Sequence, residues 1–189
     1  MEINLYIFKS KNLIENPILT DVIKSHTKNY SLELKRKISE SNYHNALKVL
    51  EEYGGNIDSF RFINGKPIVD DFYMSFSTSN DFYGFTISKL DNGFDLEKII
   101  DDARKQRLAN KILKDDLYNE YINLGNSSEY LTTKWSEFEA EAKMTGKGLD
   151  YKFIHKDIIY KSFRLDNTIF VVCANREFKL NVYLDYKRL

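Results

Sequence analysis

A single cysteine, Cys173, is all the chain has, so no internal disulfide can form and a reducing compartment is expected. Net charge is missing as well. The 28 Lys and Arg residues balance 28 Asp and Glu, which argues against nucleic-acid or anionic-membrane binding driven by bulk charge. No long apolar run occurs. Met1 leads into Glu2-Ile3-Asn4-Leu5 without a basic segment or a hydrophobic stretch behind it, so no signal peptide and no membrane span are expected, and the default location is cytoplasmic. His26, His44 and His155 share no metal-ligand spacing, which speaks against a zinc site. Gly146-Lys147-Gly148 lacks the frame of a phosphate-binding P-loop, and the tyrosines form no RNA-binding strand motif.

What is present is enough for a sizeable core: 42% hydrophobic and 14% aromatic residues in 189 positions, one large domain or two small ones. Alternation over Ile3–Phe8 predicts a first strand. Asn16-Pro17 opens a predicted helix through Ile18, Val22 and Ile23, and a longer helix over 35–53 buries Ile38, Ala46, Val49 and Leu50 before Gly54-Gly55 stop it. The lysines around it (Lys24, Lys28, Lys35, Lys37, with Arg36) read as a solvated helix face. Ile57–Ile63 reads as a strand, Asn64-Gly65-Lys66-Pro67 as a turn, and Tyr73–Phe76 and Phe82–Ser88 as a strand pair joined around Ser79-Asn80-Asp81. Residues 101–124 read as one charged helix. After Gly125, Ser127 or Ser128 caps the next helix, and strands over 158–163, 168–173 and 180–183 close the chain. Cys173 reads as a buried core thiol and Trp135 as a packing anchor.

Two stretches carry chemistry. In Asn92-Gly93-Phe94-Asp95-Leu96-Glu97, a predicted strand, residues two apart share a face, so Asp95 and Glu97 point one way and Phe94 and Leu96 the other. Paired carboxylates repel, and a hard divalent cation relieves that. In the helix before Gly146, Trp135, Glu139 and Lys143 stand four apart on one face. That face is either a surface stripe with an ordinary ion pair or one wall of a polar site.

Gly93-Phe94-Asp95-Leu96-Glu97-Lys98-Ile99, followed by the W-S-x-x-E-x-x-x-K-x-x-G-K-G-L pattern from Trp135 to Leu149, resembles the signature of the 4′-phosphopantetheinyl transferases of the surfactin-synthetase-activating type. Lys66-Pro67 is similar to that family's G-K-P turn, Ser75–Ser79 stands where it has an S-H-S strand, and Phe170–Ala174 resembles its last core strand. The resemblance implies an α+β fold of two similar halves related by a pseudo-twofold axis, 1–90 and 91–189, with the site in the cleft between them. A monomer would suffice. It implies transfer of 4′-phosphopantetheine from coenzyme A to a serine of an acyl or peptidyl carrier protein. Asp95, Glu97 and Glu139 would hold magnesium. Lys143 would sit beside the transferred phosphate as a point charge or help move a proton, Lys66 and Pro67 would meet coenzyme A, and Ser77 and Thr78 would lie along its phosphates. Glu139 and a water are both open as general base. Three departures remove positive charge: Thr78 replaces the family's histidine, Phe138 replaces a lysine, and no arginine stands in register near His44. The alternative implied is a non-catalytic relative that binds a carrier protein or a nucleotide.

Overall fold

A computed structural model describes residues 1–63, 65–79, 81–148 and 157–189; Asn64, Asn80, Leu149 and His155, which entered the reading above, lie outside them. The architecture is α+β. Strand β1 (Glu2–Lys9) is its centre: Ile3, Leu5 and Ile7 are fully buried on one face, while Tyr6 and Phe8 are buried on the other. A strand apolar on both faces needs cover on both, and the chain supplies it with two sheets and two long helices.

Helices α1 (Asp21–Thr27) and α2 (Glu33–Glu52) follow, then β2 (Arg61–Ile63), β3 (Lys66–Val69), β4 (Phe72–Thr78) and β5 (Phe82–Ser88). The next strand, β6 (Asn92–Lys98), leads to α3 (Lys105–Ile112), α4 (Asp115–Asn123) and α5 (Ser128–Thr145). Strands β7 (Ile159–Leu165), β8 (Thr168–Ala174), β9 (Lys179–Leu184) and β10 (Lys187–Arg188) complete the order. The first sheet runs β10-β9-β1-β5-β4-β3-β2, and the second runs β6-β8-β7.

Four layers result. Helix α2 packs Ala46, Val49 and Leu50 onto Tyr6, Phe85 and Ile87 of the first sheet. The sheet's other face, with Ile3, Leu5 and Ile7, meets Phe94, Leu96, Phe170 and Val172 of the second sheet. The far face of the second sheet, Val171 and Cys173, meets Ala140 and Met144 of α5. Each of these large apolar side chains contributes about 1.5–3 kcal/mol on burial. The break between the sheets falls at residues 89–91, where the expected halves divide. The second segment is not self-contained, however, because β9 pairs in parallel with β1, Glu2 opposite Lys179, and so belongs to the first sheet.

Several boundaries differ from the sequence reading for physical reasons. The first helix starts at Asp21, not Pro17, because Thr20 is its cap and accepts from the Ile23 amide. Ile57–Ser59 is a 3-10 turn capped by Asn56, which leaves only Arg61–Ile63 as strand. Of the expected turn, Lys66 and Pro67 open β3. The expected single helix over 101–124 is two. Leu113 and Lys114 are extended and Asp115 takes φ 44°, which folds the segment back so that Ile112, Leu113 and Tyr121 share one cluster with Phe138. Among the described residues no helix is long and apolar enough to cross a membrane.

Candidate functional site

Three positions bring β6 and α5 together. Ser127 caps α5 by accepting from the Tyr130 amide, and Gly146 stops it at φ 68°, its N–H returning to Ala142. Gly93 on β6 lies under the helix so closely that a Cβ there would stand 1.8 Å from the carbonyl oxygen of Ala140. That approach sets Glu139 and Lys143 of α5 beside Asp95 and Glu97 of β6.

Strand β4 joins them through its alternate serines. Ser75 Oγ accepts from the Phe94 amide at 2.9 Å, and Ser77 Oγ accepts from the Leu96 amide at 3.3 Å. Two serines two apart on a strand point to one side, so both reach β6 and stitch the sheets together. The Ser77 hydroxyl also donates to Asp95 Oδ1 at 2.9 Å and accepts from Lys143 Nζ at 2.9 Å. Its one donor and two acceptor sites are all used. Ser77 therefore holds Asp95 and Lys143 in place.

The result is a cavity of about 550 Å³ between the layers, and it receives all eight residues that the resemblance implies for the site: Lys66 and Pro67 from β3, Ser77 and Thr78 from β4, Asp95 and Glu97 from β6, Glu139 and Lys143 from α5. Trp135, on the same stripe of α5, packs instead against the cluster of Tyr121 and Leu131 as an anchor.

Lys143 Nζ donates to Asp95 Oδ1 at 2.7 Å. Asp95 is 4% exposed, and its other oxygen, Oδ2, is buried without a hydrogen-bond partner. Burial, then the charge of Asp95, pushes Glu97 up to about 7, and the same two causes raise Glu139. The three carboxylates feel one another across the cavity, yet among the described residues no three acidic, histidine or cysteine side chains are gathered closely enough to hold a metal ion together. The donors are all oxygens and one of them, Asp95 Oδ2, has no partner, which is the chemistry a hard cation of the magnesium type takes, although the carboxylates as they stand do not enclose one. The Lys143 ammonium is the cation that neutralises Asp95 in this structure.

Lys66 lines the cavity and also makes structural contacts. Its ammonium donates to Asp91 Oδ1 at 3.1 Å and to the carbonyl oxygen of Met144 in the last turn of α5. A cation suits the carbonyl end of a helix, so Lys66 ties the β2–β3 hairpin to the end of α5 and the entrance of β6. With Lys66 only 17% exposed, Lys66→Met is expected to lower the free energy of unfolding by about 1 kcal/mol. Urea denaturation checks this; an unchanged midpoint would mean the tie carries no stability.

Sequence reasoning missed the opposite wall. Lys35, Ser39, Asn42 and Tyr43 of α2, with His26 of α1 and Tyr30 after it, line the same cavity. Lys35 Nζ lies 5.5 Å from the centre of the Tyr30 ring, and His26 stacks on Phe62 at 3.9 Å. Burial holds the His26 pKa below its ordinary value. Asn42 donates to the Gly84 carbonyl at 2.9 Å, which leaves its buried Oδ1 unpartnered at the cavity. The sequence signal here was a run of lysines, and Lys24, Lys28, Lys35 and Lys37 are exposed as that run indicates; Lys35 in addition lines the cavity. His44 accepts from the Ile18 amide through Nδ1. Phe138 is 6% exposed and belongs to the core under α4, so it packs the interior.

Compared with known protein families and with curated proteins, the chain matches none.

Proposed function

We propose that this chain is a transferase that moves 4′-phosphopantetheine from coenzyme A to a serine of an acyl or peptidyl carrier protein, with magnesium, and that its fold is the two-halved arrangement of the 4′-phosphopantetheinyl transferases. The observation that carries this reading is that eight residues assigned from four separate stretches line one cavity. In the proposed reaction the carrier serine oxygen forms a bond to the phosphorus attached to pantetheine. The bond from that phosphorus to the oxygen bridging to the nucleotide breaks, and adenosine 3′,5′-bisphosphate leaves.

Asp95, Glu97 and Glu139 would hold the magnesium, which would supply charge neutralisation at the pyrophosphate. Lys143 and Thr78 bind the phosphoryl oxygens, the first with charge and the second with a hydroxyl. Ser77 keeps Asp95 and Lys143 oriented. Glu139 is the protein acceptor we assign to the serine proton. On the opposite wall, Lys35 with the aromatic surfaces of Tyr30, Tyr43 and His26 offers a cation and flat faces to the nucleotide end. Lys35 thus restores positive charge that Thr78 and the missing arginine withhold.

A second reading, a binder without turnover, is favoured by the Lys143–Asp95 ion pair at 2.7 Å, which engages a carboxylate needed for the metal. The test is incubation with magnesium, ample coenzyme A and several apo-carrier proteins, followed by intact mass of the carriers. The expected result is a phosphopantetheine increment on at least one carrier that disappears with Glu139→Ala. No increment from protein that demonstrably binds coenzyme A would overturn the transferase in favour of the binder.

A further inference from the structure

Lys143 and a divalent cation cannot both rest on Asp95 Oδ1. That oxygen already takes the ammonium at 2.7 Å and the Ser77 hydroxyl at 2.9 Å. Two positive charges meeting at one carboxylate oxygen repel strongly at such short range, and more so where water is scarce. Asp95 Oδ2, buried and unpartnered, is the carboxylate oxygen that no hydrogen bond occupies. A cation drawn to it and to Glu97 and Glu139 would take over the charge balance that the ammonium now provides. Lys143 is about 30% exposed along its side chain and lines the cavity, so it has room to swing off Asp95 without unfolding α5.

We infer that Lys143 is a tethered counter-cation that competes with the metal for Asp95, and that metal binding releases its ammonium into the cavity. This rests on the reading of the site as magnesium-dependent. Its consequence is an order of events: the lysine becomes available to a phosphate only after the metal has arrived, so coenzyme A and metal bind with positive coupling. Without metal, the lysine keeps the carboxylates from repelling one another, which preserves the fold around the cavity.

The test measures binding of Mn²⁺, a spectroscopically visible substitute, and of Mg²⁺ by calorimetry, both without coenzyme A, to the full chain and to Lys143→Met and Lys143→Arg. Removing one competing charge-assisted contact corresponds to about tenfold tighter binding or more, so Lys143→Met should gain at least that factor. Lys143→Arg, which keeps the cation, should remain near the parent. Melting in the presence of a chelator should show Lys143→Met less stable than the parent, with the deficit removed by added metal. Equal or weaker metal affinity in Lys143→Met, with the parent still binding metal, would overturn the competition alone. If neither protein binds either ion, the magnesium site of the proposed function falls with it.

Discussion

Gly93→Ala is expected to abolish the proposed transfer while leaving most of the secondary structure in place. A methyl at this position would stand 1.8 Å from the Ala140 carbonyl oxygen and 3.0 Å from Met144 Cβ. The obstacle is backbone, so no rotamer change relieves it, and α5 has to lift off β6. Overpacking of a filled interface costs about 1–3 kcal/mol, and here the upper end is expected. The functional loss should be larger than the stability loss implies, because the contact that gives way is the one setting Glu139 and Lys143 against Asp95. A displacement of about 1 Å can cost a hundredfold in rate. Chemical denaturation, far-ultraviolet circular dichroism and carrier mass measure the three effects. Ala140→Gly should not rescue the variant, since the clash is with the Ala140 carbonyl and not its methyl. Near-parent transfer by Gly93→Ala would show that the helix seat does not govern the site.

Asp95→Asn should also damage the proposed transfer strongly. It keeps the volume and the ability to accept from Ser77 or Lys143, but it removes the charge at the point where Ser77 and Lys143 converge. The expected loss of transfer rate is about a hundred- to a thousandfold, the scale of removing one electrostatic element from a preorganised site. The stability effect should be small, about 1 kcal/mol, because Lys143 is partly exposed and can turn to water. Coenzyme A protection against melting should lose its dependence on magnesium. Steady-state kinetics and melting curves with and without magnesium report both. A rate within a small factor of the parent would remove Asp95 from the site.

Local pattern made much of this structure legible. The alternation of β1, the shared face of Asp95 and Glu97, the Ser127 cap and the Gly146 stop all follow from spacing over a few residues, and each is seen. The stripe of Glu139 and Lys143 was legible for the same reason. What escaped was set by distant partners. Nothing near Leu113 announces a helix break, because no glycine or proline stands there; the break exists because Ile112, Leu113 and Tyr121 are buried together. Lys35 is exposed, as its run of lysines indicates, and that it also lines the cavity becomes visible only when α2 is laid beside β4. That Phe138 packs the interior becomes visible only when α4 folds over it. That Lys66 also meets the carbonyl end of α5, far along the chain, becomes visible only in the fold.

The parallel pairing of β1 with β9 has a consequence for how the molecule comes into being. A parallel pair whose members lie near opposite ends of this sequence has the highest contact order the chain can offer, and closing so long a loop must precede the reward of its hydrogen bonds. During synthesis from the N-terminus, β1 can pair with β5, but its other edge stays bare until residues 179–184 have emerged. A bare edge on a strand that is apolar on both faces is a template for pairing with a neighbouring chain. Aggregation in the interval before the last strand docks is therefore the hazard built into this topology. Conditions that slow β9, more than those that weaken the finished core, should govern the yield of folded protein.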